Sequence, residues 1–420
     1  MIANDKIKLT KKYLFFVLFF CMVFLLIVVR RPDIIKNAQP WAEDGLMWLQ
    51  TINNNGFWHS LFLPQNGYYQ TISRLAYGSS LLFGIKNVAL IANIIAISIR
   101  CFMVLFLLSN RMRFCSFLYR MPIAVYFIFM PNVAEGYVNI TNAHWYLAMY
   151  LMMVLVADKP DTRMWKIHDL LILVVSSLSG PFVAFFAPCL FIKRYYERGG
   201  IIKAIKGIDF FDVVMIICVI IQGVAIIFSS TSDRSSAPLG ASAVLLADII
   251  SYRVVCGTFL DSAYINQIIH AKFFNIIVFS MLLISILGLF VRAGWRFKIL
   301  ALFPILMIGF ALAKPMISMT DPQWPVLLNA GAGERYFIVT NLFFFSFVVY
   351  IFSKLGKLSE IAVLLLSIAM LPLYIQYFNI SPLAEVGYKE SIDRFIMLNK
   401  GESMDIDINP PGWKMHLIKR

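Results

Sequence analysis

Glu43 and Asp44 are adjacent carboxylates within Trp41-Ala-Glu43-Asp44-Gly45, and Trp48, Trp58, His59, Asn66-Gly67-Tyr68-Tyr69 and Arg74 follow, making this the richest polar and aromatic stretch of the chain. Carboxylates flanked by aromatics that can stack on sugar rings suit removal of a proton from an acceptor hydroxyl. The same pair suits a helix N-terminus starting near Gly45, where acidic side chains are favoured. Spacing alone leaves both readings open. A second patch is Glu135-Gly-Tyr-Val-Asn139-Ile-Thr-Asn142-Ala-His144-Trp145. Polar side chains so close to apolar runs line a cavity or a path, with His144 and Trp145 as interfacial anchors the plainer alternative. The Asn139-Ile-Thr and Asn379-Ile-Ser triplets match a glycan-acceptor pattern that is frequent by chance, and are discounted. The third patch has Asp321 and Trp324, then Gly331-Ala-Gly333-Glu334-Arg335-Tyr336-Phe337. Glycines permit close backbone approach there, and Arg335 suits a lipid phosphate gripped by paired charge-assisted hydrogen bonds. An ion pair with Glu334 or Glu43 is the structural alternative.

The elements that must position these patches are membrane helices. Of 420 residues, 60% are hydrophobic and 14% charged, too little polar surface for a soluble protein of this size. The net charge of +14 sits in short segments between apolar runs, as the positive-inside bias requires, and reads as topology rather than as a nucleic-acid surface. Six scattered cysteines have no metal or disulfide spacing. Lys6, Lys8, Lys11 and Lys12 precede the apolar run Tyr13–Val29, which Arg30-Arg31-Pro32 follows without a cleavage signal, so it reads as a retained anchor with a cytoplasmic N-terminus.

Further spans are expected at Val88–Leu108, Phe117–Met130, Trp145–Ala157, Val213–Phe228, Phe273–Val291, Ile299–Ala313, Tyr336–Phe352 and Ile361–Tyr377. Arg100, inside the second span, is expected to snorkel to the cytoplasmic headgroups. Asp169–Phe191, broken by Gly180-Pro181 between basic ends, reads as two half-helices in a re-entrant hairpin. The amphipathic stretch Ala241–Thr258, beyond a polar segment Ser229–Ser236, is expected along the interface. The expected architecture is all-α and polytopic, with nine crossings plus the hairpin, about eleven helices. Residues 1–378 form the transmembrane domain, with non-cytoplasmic loops at 30–74, 131–144, 229–270 and 314–335, and 379–420 form a short extended tail on the same side. No Walker loop, nicotinamide fingerprint, HExxH helix or Cys/His cluster is present, which removes the usual support for an ATP-driven pump or a zinc protease.

At Glu43-Asp44, Gly180-Pro181 and Arg335-Tyr336 the chain resembles the GT-C superfamily of polytopic glycosyltransferases that use polyprenyl-phosphate-linked sugars, and more narrowly the bacterial enzymes that decorate O-antigen with glucose. The resemblance implies an inner-membrane enzyme with a periplasmic site, where Asp44 or Glu43 is the general base and Arg335, Tyr336 and Arg74 hold the carrier phosphate. Trp41, Tyr68, Tyr69, Glu135, Asn139, Asn142, His144, Trp145 and Glu334 would then contact sugar or acceptor. It implies an inverting reaction, for which Asp44→Asn is expected to abolish glycan modification, and partners that synthesise and flip the donor. No cofactor is expected as certain. Some relatives use a divalent cation, which Glu43 and Asp44 would share, although two carboxylates alone fall short of a hard-cation site. The short tail departs from relatives with a large soluble C-terminal domain, so acceptor recognition falls to loops or a partner. Two other classes remain: an O-antigen polymerase or ligase leaning on Arg234, Arg253 and His270, and a transporter or lipid flippase, for which mid-membrane charges and inverted repeats are the missing signs.

Overall fold

The computed structural model describes residues 2–228, 235–269 and 272–420. Helices dominate: α1 Ile2–Arg30, α2 Thr71–Leu81, α3 Val88–Leu108, α4 Phe117–Phe129, α5 Ala143–Val156, α6 Arg163–Ser177, α7 Val183–Arg198, α8 Phe210–Phe228, α9 Lys272–Arg292, α10 Trp295–Ala313, α11 Ile338–Phe352, α12 Ser359–Gln376 and α13 Tyr388–Met397. Five of them, α3, α8, α9, α10 and α12, are long and apolar enough to cross a membrane, and α4, α5, α11 and Leu14–Arg30 of α1 are shorter apolar helices. The protein is a helical, membrane-embedded one. Their lengths follow from uninterrupted apolar runs, because a helix satisfies its own backbone where no water is present.

Burial separates helices with different neighbours. The α3 span is half buried, whereas α9 is 6% buried and keeps Ile276, Ile277, Met281, Ile284 and Leu287 exposed, the surface of a lipid-facing helix. The densest packing surrounds α5, in which His144 through Met152 are all buried. Arg30, 2% exposed, ties three helix ends together: its guanidinium donates to the Ile128 and Met130 carbonyls at the C-terminal end of α4 and to the Tyr377 and Phe378 carbonyls beyond α12. Carbonyls left over at helix C-termini are the natural acceptors for such a cation.

Three expectations change. Arg100 does not reach towards headgroups. Its guanidinium is buried, lies 3.6 Å from the centre of the Tyr146 ring and donates to the Ala96 and Gly136 carbonyls at 2.8 Å, because ring and loop carbonyl offer a closer partner than the distant interface. Ala243–Ile249, continuing as a π-helix Ile250–Cys256, does not lie along a surface. Most of residues 247–258 are buried, held by Asn275 donating to Asp248 at 2.6 Å and Tyr252 donating to the Ile268 carbonyl at 2.8 Å. The tail, finally, is folded: α13 supports a hairpin of β1 Ser403–Ile408 and β2 Trp413–Ile418, paired antiparallel from Ser403 opposite Ile418 to Ile408 opposite Trp413. Strand alternation buries Ile406, Ile408, Met415 and Leu417 and leaves Asp405, Asp407, Lys414 and His416 on the other face.

Gly180-Pro181 does break a helical pair, between α6 and α7, and Gly180 has φ +139°. The interrupted backbone is satisfied by Gln222 of α8, whose amide donates to the Ser177 and Gly180 carbonyls at 3.2 and 3.0 Å, and by Ser179, which accepts the Ile72 amide at 2.9 Å. This meets the demand that irregular backbone inside such a protein find partners.

Candidate functional site

The segment 131–145 is where the three polar patches converge. Its first partner is the Glu43-Asp44 loop. Asp44 opens a π-helix, Asp44–Leu49, but neither carboxylate caps it through a side-chain bond. The Asp44 Oδ1 instead accepts the Thr141 amide at 2.8 Å, the Trp48 indole N–H donates to the Thr141 hydroxyl at 3.3 Å, and the Thr141 hydroxyl approaches the Glu43 carboxylate at 3.5 Å. Asp44 is 2% exposed, whereas Glu43 is half-buried. Burial pushes the Asp44 carboxyl well above the ordinary carboxylate range and Glu43 pushes the same way, against backbone amide bonds from Thr141, Ile140 and Trp41.

The second partner is the segment 316–337. Glu135 and Arg335 form an ion pair, and the backbones interlock: the Glu135 amide donates to the Glu334 carboxylate and the Arg335 amide to the Glu135 carboxylate, each at 3.2 Å. The expected ion-pair partner of Arg335 was Glu334 or Glu43, and Glu135 takes that place. Arg335 also donates to the Met316 carbonyl at 2.6 Å and to the Tyr336 hydroxyl at 3.3 Å, while its guanidinium packs 4.7 Å from the Tyr336 ring centre. Burial opposes its charge, but Tyr336, Glu43 and Tyr68 together outweigh burial and hold its pKa above the ordinary arginine value. Glu43 and Tyr68 therefore lie within electrostatic reach of Arg335. Burial raises the Glu334 carboxyl to about 7, against the opposing charge of Arg253 and an amide bond from Ala134.

Aromatic rings wall this region. Trp145, 4% exposed, packs 4.8 Å from Phe182 and edge-on, at 5.7 Å, to Tyr336. His144, 8% exposed, bonds the Thr141 carbonyl at 2.7 Å and stacks on Phe182 at 5.5 Å. Both residues thus belong to the protein interior and not to an interfacial belt. Tyr69 is fixed by its amide donating to Gln222 at 2.9 Å. Trp41 and Asn139 line a cavity of about 10 Å³ with Arg31, Gln39 and Asn93, room for one water.

The expected sugar-binding roles of Asn139 and Asn142 meet a competing one: both amides donate to the Glu135 carbonyl, at 2.7 and 3.4 Å, and Asn139 accepts the Asn142 amide at 3.1 Å, so they shape the loop. Arg74 is 2% exposed, with its guanidinium 5.1 Å from the Trp48 ring centre, and its Nε and Nη1 have no hydrogen-bond partner among the described residues. Burial lowers its pKa to about 10. Thr141, Gln222 and Arg100 organise the site without having been singled out for it.

Ala42 at φ +47° and Val138 at φ +54° hold left-handed backbone without being glycine or asparagine. Each costs about 1–3 kcal/mol and persists only where its surroundings enforce it. Val138 is β-branched, for which this conformation is a true outlier.

A shared divalent cation does not fit the acidic pair. Asp44 is sealed from solvent and accepts backbone amides, which leaves Glu43 alone, and among the described residues no three His, Cys, Asp or Glu side chains converge as a metal site. Of the basic residues a polymerase would use, Arg253 is buried, donating to the Leu327 and Asn329 carbonyls and packed 4.6 Å from the Phe337 ring centre, which is a structural role. Arg234 and His270, with most of Ser229–Ser236, lie outside the described residues. No protein-family model matches the chain, and no curated protein sequence is detectably similar to it.

Proposed function

We propose that the protein is a membrane glycosyltransferase that moves a sugar, glucose being the first to test, from a polyprenyl-phosphate carrier to a cell-envelope glycan such as O-antigen on the periplasmic face of a bacterial inner membrane. The observation that carries this reading is the convergence on segment 131–145 of the half-buried Glu43 carboxylate, which Thr141 approaches, and of Arg335, which pairs with Glu135 beside the Tyr336 and Trp145 rings. Glu43 rather than Asp44 is the general base, because a group that must meet an acceptor hydroxyl cannot be sealed by backbone amides. Asp44 acts through Thr141, holding segment 131–145 against the base.

The hydroxyl oxygen of the acceptor attacks the anomeric carbon as its proton passes to Glu43. The bond from that carbon to the phosphate oxygen breaks, the configuration inverts, and polyprenyl phosphate leaves with the electron pair. Arg335, oriented by Glu135 and the Met316 carbonyl, stabilises that anion with the Tyr336 hydroxyl beside it. A leaving group stable as an anion needs no dedicated acid. Arg74, as sealed from solvent as Asp44 and packed on Trp48, is a support of the loop rather than a contact of the carrier phosphate.

The test is transfer by the purified full-length protein from radiolabelled polyprenyl-phosphate glucose to lipopolysaccharide, together with mass spectrometry of surface glycans from cells with and without the gene. A hexose-sized mass difference and a loss of at least about 100-fold in Glu43→Gln are expected. A shortened polymer instead of a missing branch sugar indicates a polymerase, and counter-transport without a covalent product a transporter. Full activity in Glu43→Gln removes the assignment of the base.

A further inference from the structure

The hairpin of β1 and β2 touches the loop that carries Glu43 at both of that loop's ends. Ahead of the carboxylate, Asn409 at the hairpin turn forms a parallel bridge with Trp41: the Ala42 amide donates to the Asn409 carbonyl, and the Asn409 amide to the Pro40 carbonyl at 3.3 Å. The Asn409 side chain, 1% exposed, donates to the Gln39 side chain at 3.0 Å and to the Ala384 carbonyl at 2.9 Å. Beyond the carboxylate, Ile408 and Met415 close on Gly45 so tightly that a Cβ there would lie 2.6 Å from the Ile408 Cδ1. Further along, the His416 amide donates to Gln50 at 2.6 Å, and Asn54 exchanges bonds with the His416 carbonyl and the Ile418 amide at 2.8 and 3.0 Å.

Between these holds lies Ala42, a non-glycine residue in the left-handed region at φ +47°. Its backbone direction sets where the Glu43 side chain leaves the chain. A strained residue keeps such a conformation only if neighbours over-determine it, and the two bonds that bracket Ala42, at its own amide and at the Pro40 carbonyl, both go to Asn409.

We propose that the C-terminal hairpin is a clamp on loop 39–45 and that Asn409 is a positioning residue for the Glu43 carboxylate. The part of this that concerns catalysis rests on Glu43 being the base, whereas the hold on the loop does not. The tail thereby has a role other than acceptor recognition: it fixes the geometry of a loop more than 360 residues earlier in the chain.

Hydrogen exchange by mass spectrometry on full-length Asn409→Ala separates the two parts. Exchange in residues 39–45 is expected to rise at least tenfold while α13 and the strands stay protected, since both bracketing backbone bonds lose the side-chain anchors that orient them. With polyprenyl-phosphate glucose and lipopolysaccharide, kcat is expected to fall on the order of 100-fold with the donor KM within about twofold, the pattern of a displaced catalytic group. Gln39→Ala, which leaves the hairpin intact, should shift exchange in the same residues, and Lys414→Ala on the exposed strand face should change nothing. Unchanged exchange at 39–45 in both Asn409→Ala and Gln39→Ala overturns the clamp. Raised exchange with unchanged kcat overturns the positioning role. Raised exchange in a protein whose wild type transfers no sugar supports the hold on the loop and overturns the assigned reaction instead.

Discussion

At Asp44 a carboxylate accepts an amide at 2.8 Å and meets almost no solvent, while one residue earlier Glu43 is half-buried, so isosteric replacements test different properties of the two. Asn at 44 keeps an oxygen for the Thr141 amide and loses the charge and one of the two oxygens that accept the Thr141, Ile140 and Trp41 amides. We expect Asp44→Asn to slow transfer by about tenfold or less, against at least about 100-fold for Glu43→Gln, in initial rates of radiolabelled transfer. The reverse ranking would return the base to Asp44. The acidic pair is legible in the sequence as a chemical group, but not its division of labour, because Thr141 imposes that division from 97 residues away. The folded-state pKa of Glu334, raised by burial to about 7 from an ordinary 4.5, means that the folded protein holds a proton which the unfolded chain releases. Stability contributed by that proton is present below about 4.5 and falls as pH rises to about 7, after which it is constant. Thermal inactivation of detergent-solubilised wild type and Glu334→Gln should therefore diverge in favour of the variant between pH 5 and 7, by at most about 3.5 kcal/mol at about 1.4 kcal/mol per pKa unit. Parallel curves would show that Glu334 is ionised throughout.

Elements formed by continuous apolar runs are legible because their cause is local. The expected span Val88–Leu108 coincides with α3, and Ile299–Ala313 and Ile361–Tyr377 fall within a few residues of α10 and α12. The hairpin is illegible for the opposite reason: its apolar alternation, Met404 through Ile408 and Trp413 through Leu417, is too short to declare itself, and its partners are the loop at 39–54. The glycines before Arg335 show how a motif can be half informative. Gly331, at φ +77°, has no atom within 4 Å of a hypothetical Cβ, whereas at Gly333, φ +60°, that Cβ would lie 2.5 Å from Ile317 and 3.1 Å from both Leu327 and Tyr336. Gly331→Ala meets only the left-handed backbone penalty, about 1–2 kcal/mol. Gly333→Ala meets that penalty and pushes Tyr336 as well, so it should lower both thermal stability and the transfer rate more than Gly331→Ala does. Equal effects would mean that the 331–337 turn yields without moving Tyr336.

Two polar layers bound the whole molecule, and α3 connects them. At its start Lys86 pairs with Asp393 of α13 at 2.6 Å, on the module that grips the Glu43 loop. At its other end Arg111 makes two bonds to Asp169, while Asp158 pairs with Arg113 and Arg296. Twenty-one residues of helix separate the layers by about 31 Å, one hydrocarbon core. Arg30 joins the ends of α1, α4 and α12 at one level, which requires that those three helices finish on one side. The lysines and arginines of the short turns, Arg113, Lys159, Arg163, Lys166, Lys298, Lys354 and Lys357 among them, belong to the layer away from Glu43. With the positive-inside bias we propose that this layer is cytoplasmic and that Glu43 and Arg335 lie on the periplasmic side. In a variant with the six native cysteines replaced, a membrane-impermeant maleimide should label Ser403→Cys, exposed on β1, in intact spheroplasts. It should label Arg113→Cys, whose native side chain is 79% exposed, only after lysis. The opposite pattern would place Glu43 and Arg335 on the cytoplasmic side and remove the reason for a lipid-borne donor, and labelling of both sites in intact spheroplasts would show that α3 does not separate two compartments.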